Sequence, residues 1–172
     1  MRYGVFLRAM NIGGNRLPVA ALRERMGALG FTDVATHLQT GNVALTDPAG
    51  RGEDEVAALV EADLLAAGMA RMDAMVRTPA ELRALLGAVD LDPYPAAEWR
   101  RCVTFLRRPP ERDGTERMAA KDWTVLHADD RSVVSVYPRA NRGYALNLDT
   151  AWKTATTTRW AEVVTDFLEV LG

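Results

Sequence analysis

The first segment of the chain alternates between two kinds of position. Residues 3–7 place Tyr, Val and Leu on one side and Gly and Phe on the other, a two-residue period typical of a strand. A helical period follows Pro18, a residue that fits the first turn of a helix. The apolar stripe of this helix consists of Val19, Leu22, Met26 and Leu29. Gly30 is expected to end the helix in the left-handed conformation.

Two strands, a helix and a fourth strand complete the first half. Residues 34–39 and 43–45 are predicted to form a hairpin across the turn Thr40-Gly41-Asn42, because glycine tolerates a positive φ. Acidic residues at 53–55 favour the start of a second helix, and residues 72–77 follow as a strand. This order is that of the split βαβ unit of ferredoxin-like folds. We therefore expect an antiparallel sheet in which strand one pairs with strand three, with helices on one face.

The second half repeats this order less regularly. A capping box at Thr78-Pro79-Ala80-Glu81 predicts a helix, and strands are predicted over 101–106, 123–127 and 132–137. The last helix is predicted over 159–171. Its expected buried stripe is Trp160, Val163, Val164, Phe167 and Leu171.

The fold class that follows is α+β, with two ferredoxin-like halves and antiparallel sheets. The halves are assigned to residues 1–78 and 79–172. The fourth strand of the second half is the weak point, because residues 144–152 show only a faint helical pattern.

Composition narrows the functional classes. The 172 residues are 48% hydrophobic and 26% charged, which excludes intrinsic disorder. The net charge of −2 argues against a dedicated nucleic-acid binder, which needs a basic excess. The chain has no apolar run long enough for a membrane span, and its first residues are expected to form a strand rather than a signal peptide. A single cysteine, Cys102, suits a reducing compartment, so we expect a cytoplasmic protein.

The common catalytic motifs are missing. The sequence contains no phosphate loop, no dinucleotide fingerprint, no His-Glu-x-x-His pair and no nucleophile elbow, and we predict neither a metal nor a cofactor. His37 and His127 lie in predicted strands and are interpreted as packed or edge residues. Cys102 is expected to be a buried, inert thiol. The pair Asp129-Asp130 is explained by the preferences of a hairpin turn.

Two polar loops form the one group of residues in the sequence for which a chemical role is considered. Because strands one and three are antiparallel neighbours, the loop after the first and the turn before the third should meet at one edge of the sheet. Backbone amides at glycine turns, together with an arginine, can cradle an anion, and amide side chains can orient a polar ligand. The predicted ligand-binding residues are Arg8, Asn11, Gly13, Gly14, Gln39, Thr40, Gly41 and Asn42.

A structural interpretation of the same residues stays open. Asparagine and glycine are what tight turns need, and polar side chains near turns commonly bond to backbone groups. On this interpretation Asn11 and Asn42 bond only to nearby backbone, and Arg8 pairs with a carboxylate such as Asp47.

Both loops resemble the motifs of a bacterial family, the domain-of-unknown-function family 1697. The stretch Leu7-Arg8-Ala9-Met10-Asn11-Ile12-Gly13-Gly14 is similar to its opening pattern, and Thr36-His37-Leu38-Gln39-Thr40-Gly41-Asn42-Val43 to its second. The resemblance implies two ferredoxin-like subdomains and no established activity. The second half departs from the family pattern at Asn141-Arg142-Gly143-Tyr144, which lacks a lysine, and at Thr158-Arg159-Trp160, which lacks an asparagine.

Three functions follow from these observations. The favoured one is binding of a small anionic ligand at the two loops. The second is an enzyme of unassigned reaction at the same place, for which no nucleophile or acid–base pair is evident. An RNA-binding module is the least favoured, because the open face of strand one offers only Phe6 for base stacking. The oligomeric state is left open.

Overall fold

The computed structural model describes residues 1–10, 13, 16–39, 41–141 and 147–172. Its strands form two four-stranded antiparallel sheets. The chain divides into two compact units, Met1–Arg83 with Asp166–Gly172, and Ala84–Thr165. The predicted α+β class with two ferredoxin-like halves is confirmed.

The first sheet has the strand order of the split βαβ unit. Its strands are β1 (Arg2–Leu7), β2 (Thr32–His37), β3 (Asn42–Thr46) and β4 (Ala74–Arg77). They lie in the order β2-β3-β1-β4. Strand β1 pairs with β3, where Phe6 lies opposite Asn42, and with β4, where Leu7 lies opposite Ala74. The predicted pairing of strand one with strand three is therefore confirmed.

One face of this sheet packs on two helices, α1 (Val19–Ala28) and α2 (Glu53–Ala66). The apolar stripe of α1 points inward, since Leu22 and Met26 are buried, and Gly30 ends the helix at φ +89° as expected. The core on this face contains Tyr3, Val5, Leu7, Leu22, Met26, Val56, Val60 and Leu64. The alternating pattern along β1 therefore correctly predicts that Tyr3, Val5 and Leu7 face the core on this side of the sheet.

The other face of the first sheet is also covered, contrary to the expectation of helices on one face only. The last turns of helix α6 (Ala161–Leu171) lie against it. A Cβ on Gly4 would be 3.0 Å from Phe167 Cε1, so the missing side chain makes room for the phenylalanine ring. Phe6 is fully buried and meets Phe167 edge-to-face, with 5.4 Å between ring centroids. The aromatic ring that the sequence places on an open face therefore belongs to the core.

The second unit repeats the same topology. Its strands are β5 (Trp99–Leu106), β6 (Thr124–Ala128), β7 (Ser132–Pro138) and β8 (Thr156–Trp160), in the order β6-β7-β5-β8. Helices α4 (Thr115–Ala119) and α5 (Leu148–Trp152) supply Met118 and Trp152 to its core. Helix α3 (Pro79–Gly87) precedes β5 and begins at the predicted capping box, in which Glu81 N donates to Thr78 Oγ1 and Thr78 N to Glu81 Oε2. None of the helices in the described residues is long and apolar enough to cross a membrane.

The sequence prediction is wrong about the start of the last helix. Residues 156–160 form strand β8, and α6 begins only at Ala161. Trp160 pairs with Cys102 across the sheet and is 42% exposed, so it is not part of the buried stripe with Val164 and Phe167. The sequence pattern assigns Trp160 to the helix because it lies three and four residues before Val163 and Val164, which is the spacing of a helical stripe. The three threonines at 156–158 are β-branched and favour the strand that the pattern of apolar residues does not reveal.

Candidate functional site

Three segments of the first unit meet where β1 ends. The Leu7 amide donates to the Gly41 carbonyl at 2.8 Å, which holds the β2–β3 turn beside β1. The next amide, that of Arg8, donates to the Asp73 carbonyl at 2.9 Å, just before β4 begins. We call this place the β1-end site. Its described residues are Arg8, Gln39, Gly41, Asn42 and Asp73, and Gly13 belongs to the loop that follows β1 in the sequence.

Arg8 carries the positive charge of this site and pairs with Asp73. Arg8 Nη1 lies 3.0 Å from Asp73 Oδ2, and the two side chains are 30% and 31% exposed. The structural interpretation gives Asp47 as an example of a partner for Arg8. Asp47 instead pairs with Arg51, whose Nη2 lies 2.7 Å from Asp47 Oδ1. The Asp73 carboxylate thus orients the guanidinium, while part of the Arg8 side chain still contacts solvent.

The amide side chains of the two loops have different environments. Asn42 is fully buried, and its Nδ2 donates to the His37 carbonyl at 3.2 Å. That bond joins β3 to β2 at the turn, so this side chain holds the hairpin. Gln39 is exposed at the surface of the same turn. Asn11, Gly14 and Thr40 lie outside the described residues.

Gly41 is required by both its conformation and its surroundings. Its φ is +77°, and a Cβ there would lie 2.6 Å from Met10 Cγ and 3.0 Å from Leu7 Cβ. The turn can therefore approach β1 closely only with glycine at this position. Gly13, in the other loop, has φ +60° and is exposed, and no atom of the described residues lies within 4 Å of where a Cβ would be.

Replacing Gly41 with alanine should destabilise the first unit. The left-handed conformation alone costs a non-glycine residue about 1–2 kcal/mol, and crowding against Leu7 and Met10 adds to it. We expect the free energy of unfolding to fall by roughly 2–4 kcal/mol, measured by urea denaturation. Gly13→Ala is the matched control. Its φ is also positive but its surroundings are open, so it should cost only the conformational part. Equal losses in the two variants would contradict the packing argument.

Each loop also holds a non-glycine residue in the left-handed region. Ala9 has φ +58° and Leu38 has φ +60°. Neither has the short polar side chain that eases this conformation for aspartate or asparagine. Leu38 is in addition 53% exposed. Backbone strain of this kind is concentrated at functional sites, where the surrounding structure holds it in place.

Sequence reasoning missed Asp73, Ala9 and Leu38. The topology contained a signal for Asp73. In a split βαβ unit the fourth strand runs antiparallel beside the first, so the start of β4 must lie at the end of β1. The conformations of Ala9 and Leu38 have no signal in the sequence, because neither residue type favours a positive φ.

The other reactive side chains singled out in the sequence have structural surroundings in the described part of the chain. Cys102 is buried, and burial, reinforced by the charge of Glu162, raises the pKa of its thiol to about 12. The predicted burial of the thiol is confirmed. Asp129 Oδ1 accepts from the amides of Arg131 and Ser132, which is the turn role predicted for it. The described residues contain no group of three or more histidine, cysteine or acidic side chains placed to hold a metal ion.

Comparisons with known proteins agree with this architecture. A family model described as "Protein of unknown function (DUF1697)" matches residues 1–133, which include both loops. A solved structure, that of the conserved bacterial protein SP0830 from Streptococcus pneumoniae, is 17% identical in sequence with a TM-score of 0.71. The similarity covers 99% of this chain and 98% of that one. At 17% identity it shows a shared fold and no more. No curated protein matches the chain.

Proposed function

The chain belongs to the DUF1697 family, and we propose that it binds a small anionic ligand at the β1-end site. The observation that carries the proposal is the position of the Arg8 guanidinium. It is partly exposed and fixed by Asp73, and it lies where two strained loops meet. A preoriented guanidinium is the side chain best suited to a carboxylate or a phosphate, because it donates two parallel hydrogen bonds.

The neighbouring residues have distinct roles in this proposal. Gly41 lets the second turn lie close beside β1, because a side chain there would meet Met10 and Leu7. Gly13 is exposed and leaves the backbone of the other loop uncovered by a side chain. Gln39 is exposed and can donate or accept a hydrogen bond. Asn42 makes no direct contact in this proposal, because it is buried and fixes the hairpin from inside.

Asp73 sets the affinity of the site for anions. Its carboxylate orients Arg8 but also neutralises it, so an incoming anion meets a pair without net charge. A carboxylate or a phosphate monoester suits such a pair, because it offers two acceptor oxygens to a guanidinium. We expect Asp73→Asn to bind such ligands more tightly than the natural sequence.

A thermal-shift screen against sugar phosphates, nucleotides and dicarboxylates identifies the ligand, because binding to the folded state raises the melting temperature. Arg8→Ala should then weaken the best ligand by about 1.5–3 kcal/mol, which is roughly 10- to 150-fold in Kd. Titration calorimetry measures the loss.

The control is Arg83→Ala. Arg83 follows the far end of β4 and donates to the Gly172 carbonyl, so its loss also removes one positive charge from the first unit. The Arg83→Ala variant should bind the ligand as tightly as the natural sequence does. Equal weakening in both variants would show a nonspecific charge effect, and no stabilising anion at all would refute the proposal.

A further inference from the structure

A second candidate site lies in the second unit, where three rings and a guanidinium form a row across one face of the sheet. Trp123 stacks on Tyr137 with 4.3 Å between ring centroids and an angle of 29°. Tyr137 on β7 lies opposite Arg100 on β5. The Arg100 guanidinium lies 5.0 Å from the centroid of the Trp160 ring. We call these four residues the aromatic–arginine row.

The row changes from buried to exposed along its length. Trp123 is buried, Tyr137 and Arg100 are half-buried, and Trp160 at the other end is 42% exposed. The exposed part of the Trp160 ring offers an aromatic surface on which a planar ligand can stack. Trp160 lies on β8, an edge strand of its sheet, which leaves it accessible from the side.

The charge of the row selects an anionic ligand. No residue in the described part of the chain accepts a hydrogen bond from the Arg100 guanidinium or forms an ion pair with it, and stacking on an indole leaves its in-plane N–H groups able to donate. Arg139 comes just after β7, and its side chain donates only to the Ala96 carbonyl among the described residues. Burial raises the pKa of the Tyr137 hydroxyl above its ordinary value, and the charges of Arg100 and Arg139 offset only part of that rise.

We propose that the aromatic–arginine row binds a free nucleotide, with the base stacked on Trp160 and the phosphate bound by Arg100. A nucleotide combines the two features that the row provides for, a planar ring and an anion. The net charge of −2 favours a free nucleotide over a nucleic-acid strand, which would need many phosphate contacts. This site is separate from the β1-end site and does not depend on the proposed function there.

The test is a titration of the full chain with adenosine monophosphate, followed by calorimetry and tryptophan fluorescence. Trp160→Ala should weaken binding roughly 5- to 150-fold, the range for loss of one base-stacking contact. Trp160→Phe should restore most of the affinity, because it restores a ring at the same place. Arg100→Gln should also weaken binding, whereas Arg117→Gln, at an exposed position of α4, should not. Weakening by both Trp160→Ala and Arg100→Gln distinguishes this site from the β1-end site, to which neither residue belongs.

Four results would overturn the proposal. The first is no binding of adenosine monophosphate. The second is equal affinity for ribose 5-phosphate, which has no base, or for adenosine, which has no phosphate. The third is binding only of a single-stranded oligoadenylate, which would make the ligand a nucleic acid. The fourth is self-association that Trp160→Ala abolishes while the nucleotide does not bind, which would make the row an interface between copies of the chain.

Discussion

Replacing Phe167 with alanine is expected to lower the free energy of unfolding by about 3–5 kcal/mol. Phe167 is fully buried, and its ring packs edge-to-face on Phe6 and fills the space above Gly4. Truncation removes a large apolar surface from the interior and leaves a cavity that a rigid sheet face cannot close. Urea denaturation followed by circular dichroism measures the change.

Leu65→Ala is the matched control for this prediction. Leu65 is also a large apolar residue in a helix, but it is 50% exposed, so its truncation should cost little. A loss for Phe167→Ala as small as that for Leu65→Ala would mean that the end of α6 does not pack on the first sheet in solution.

Asp47→Ala is expected to cost about 2–3 kcal/mol, and the loss should depend on pH. Asp47 is fully buried and accepts from the Arg51 amide at 2.6 Å and from Arg51 Nη2 at 2.7 Å. Burial acts to raise the pKa of this carboxyl group, but the hydrogen bonds from Arg51 and Ala49 and the charge of Arg51 outweigh it. The pKa in the folded state therefore lies below the ordinary value of 3.8.

The sign of the pH dependence follows from that lowered pKa. A carboxyl group with a lower pKa in the folded state contributes stability above its unfolded pKa and loses it as the pH falls through the folded value. The natural sequence should therefore lose stability as the pH drops below about 4, and Asp47→Asn should lose less over the same interval. Parallel stability curves for the two proteins between neutral and acidic pH would contradict this assignment.

The order of strands and helices could be predicted because the period of the apolar residues changes cleanly between them. The same order predicts that the turn at Gly41 lies beside the end of β1, which the bond between the Leu7 amide and the Gly41 carbonyl bears out. The topology can be predicted once it is known which strands are neighbours. Which strands are neighbours follows from the local sequence patterns and from the connections that those patterns permit.

The features that escaped prediction depend on contacts between distant residues. Phe167 covers Gly4 because a helix from the end of the chain returns to the first sheet, and no local period records such a return. The burial of Asn42 could not be predicted for the same reason, because the sequence does not distinguish a buried asparagine in a turn from an exposed one. Strand β8 was missed because threonine is neutral in an apolar periodicity, although its branched Cβ favours a strand.

The most direct measurement of the central claim is a nuclear magnetic resonance titration of the full chain with inorganic phosphate. It follows the Arg8 Nε–H group and the Gly41 amide, with the Arg83 Nε–H group as an internal reference. Binding at the β1-end site predicts saturable shifts of the first two signals with a common dissociation constant, while the Arg83 signal stays in place. Shifts of Arg8 and Arg83 that are equal and linear in phosphate concentration would contradict the claim, because they would show only general screening of surface charge.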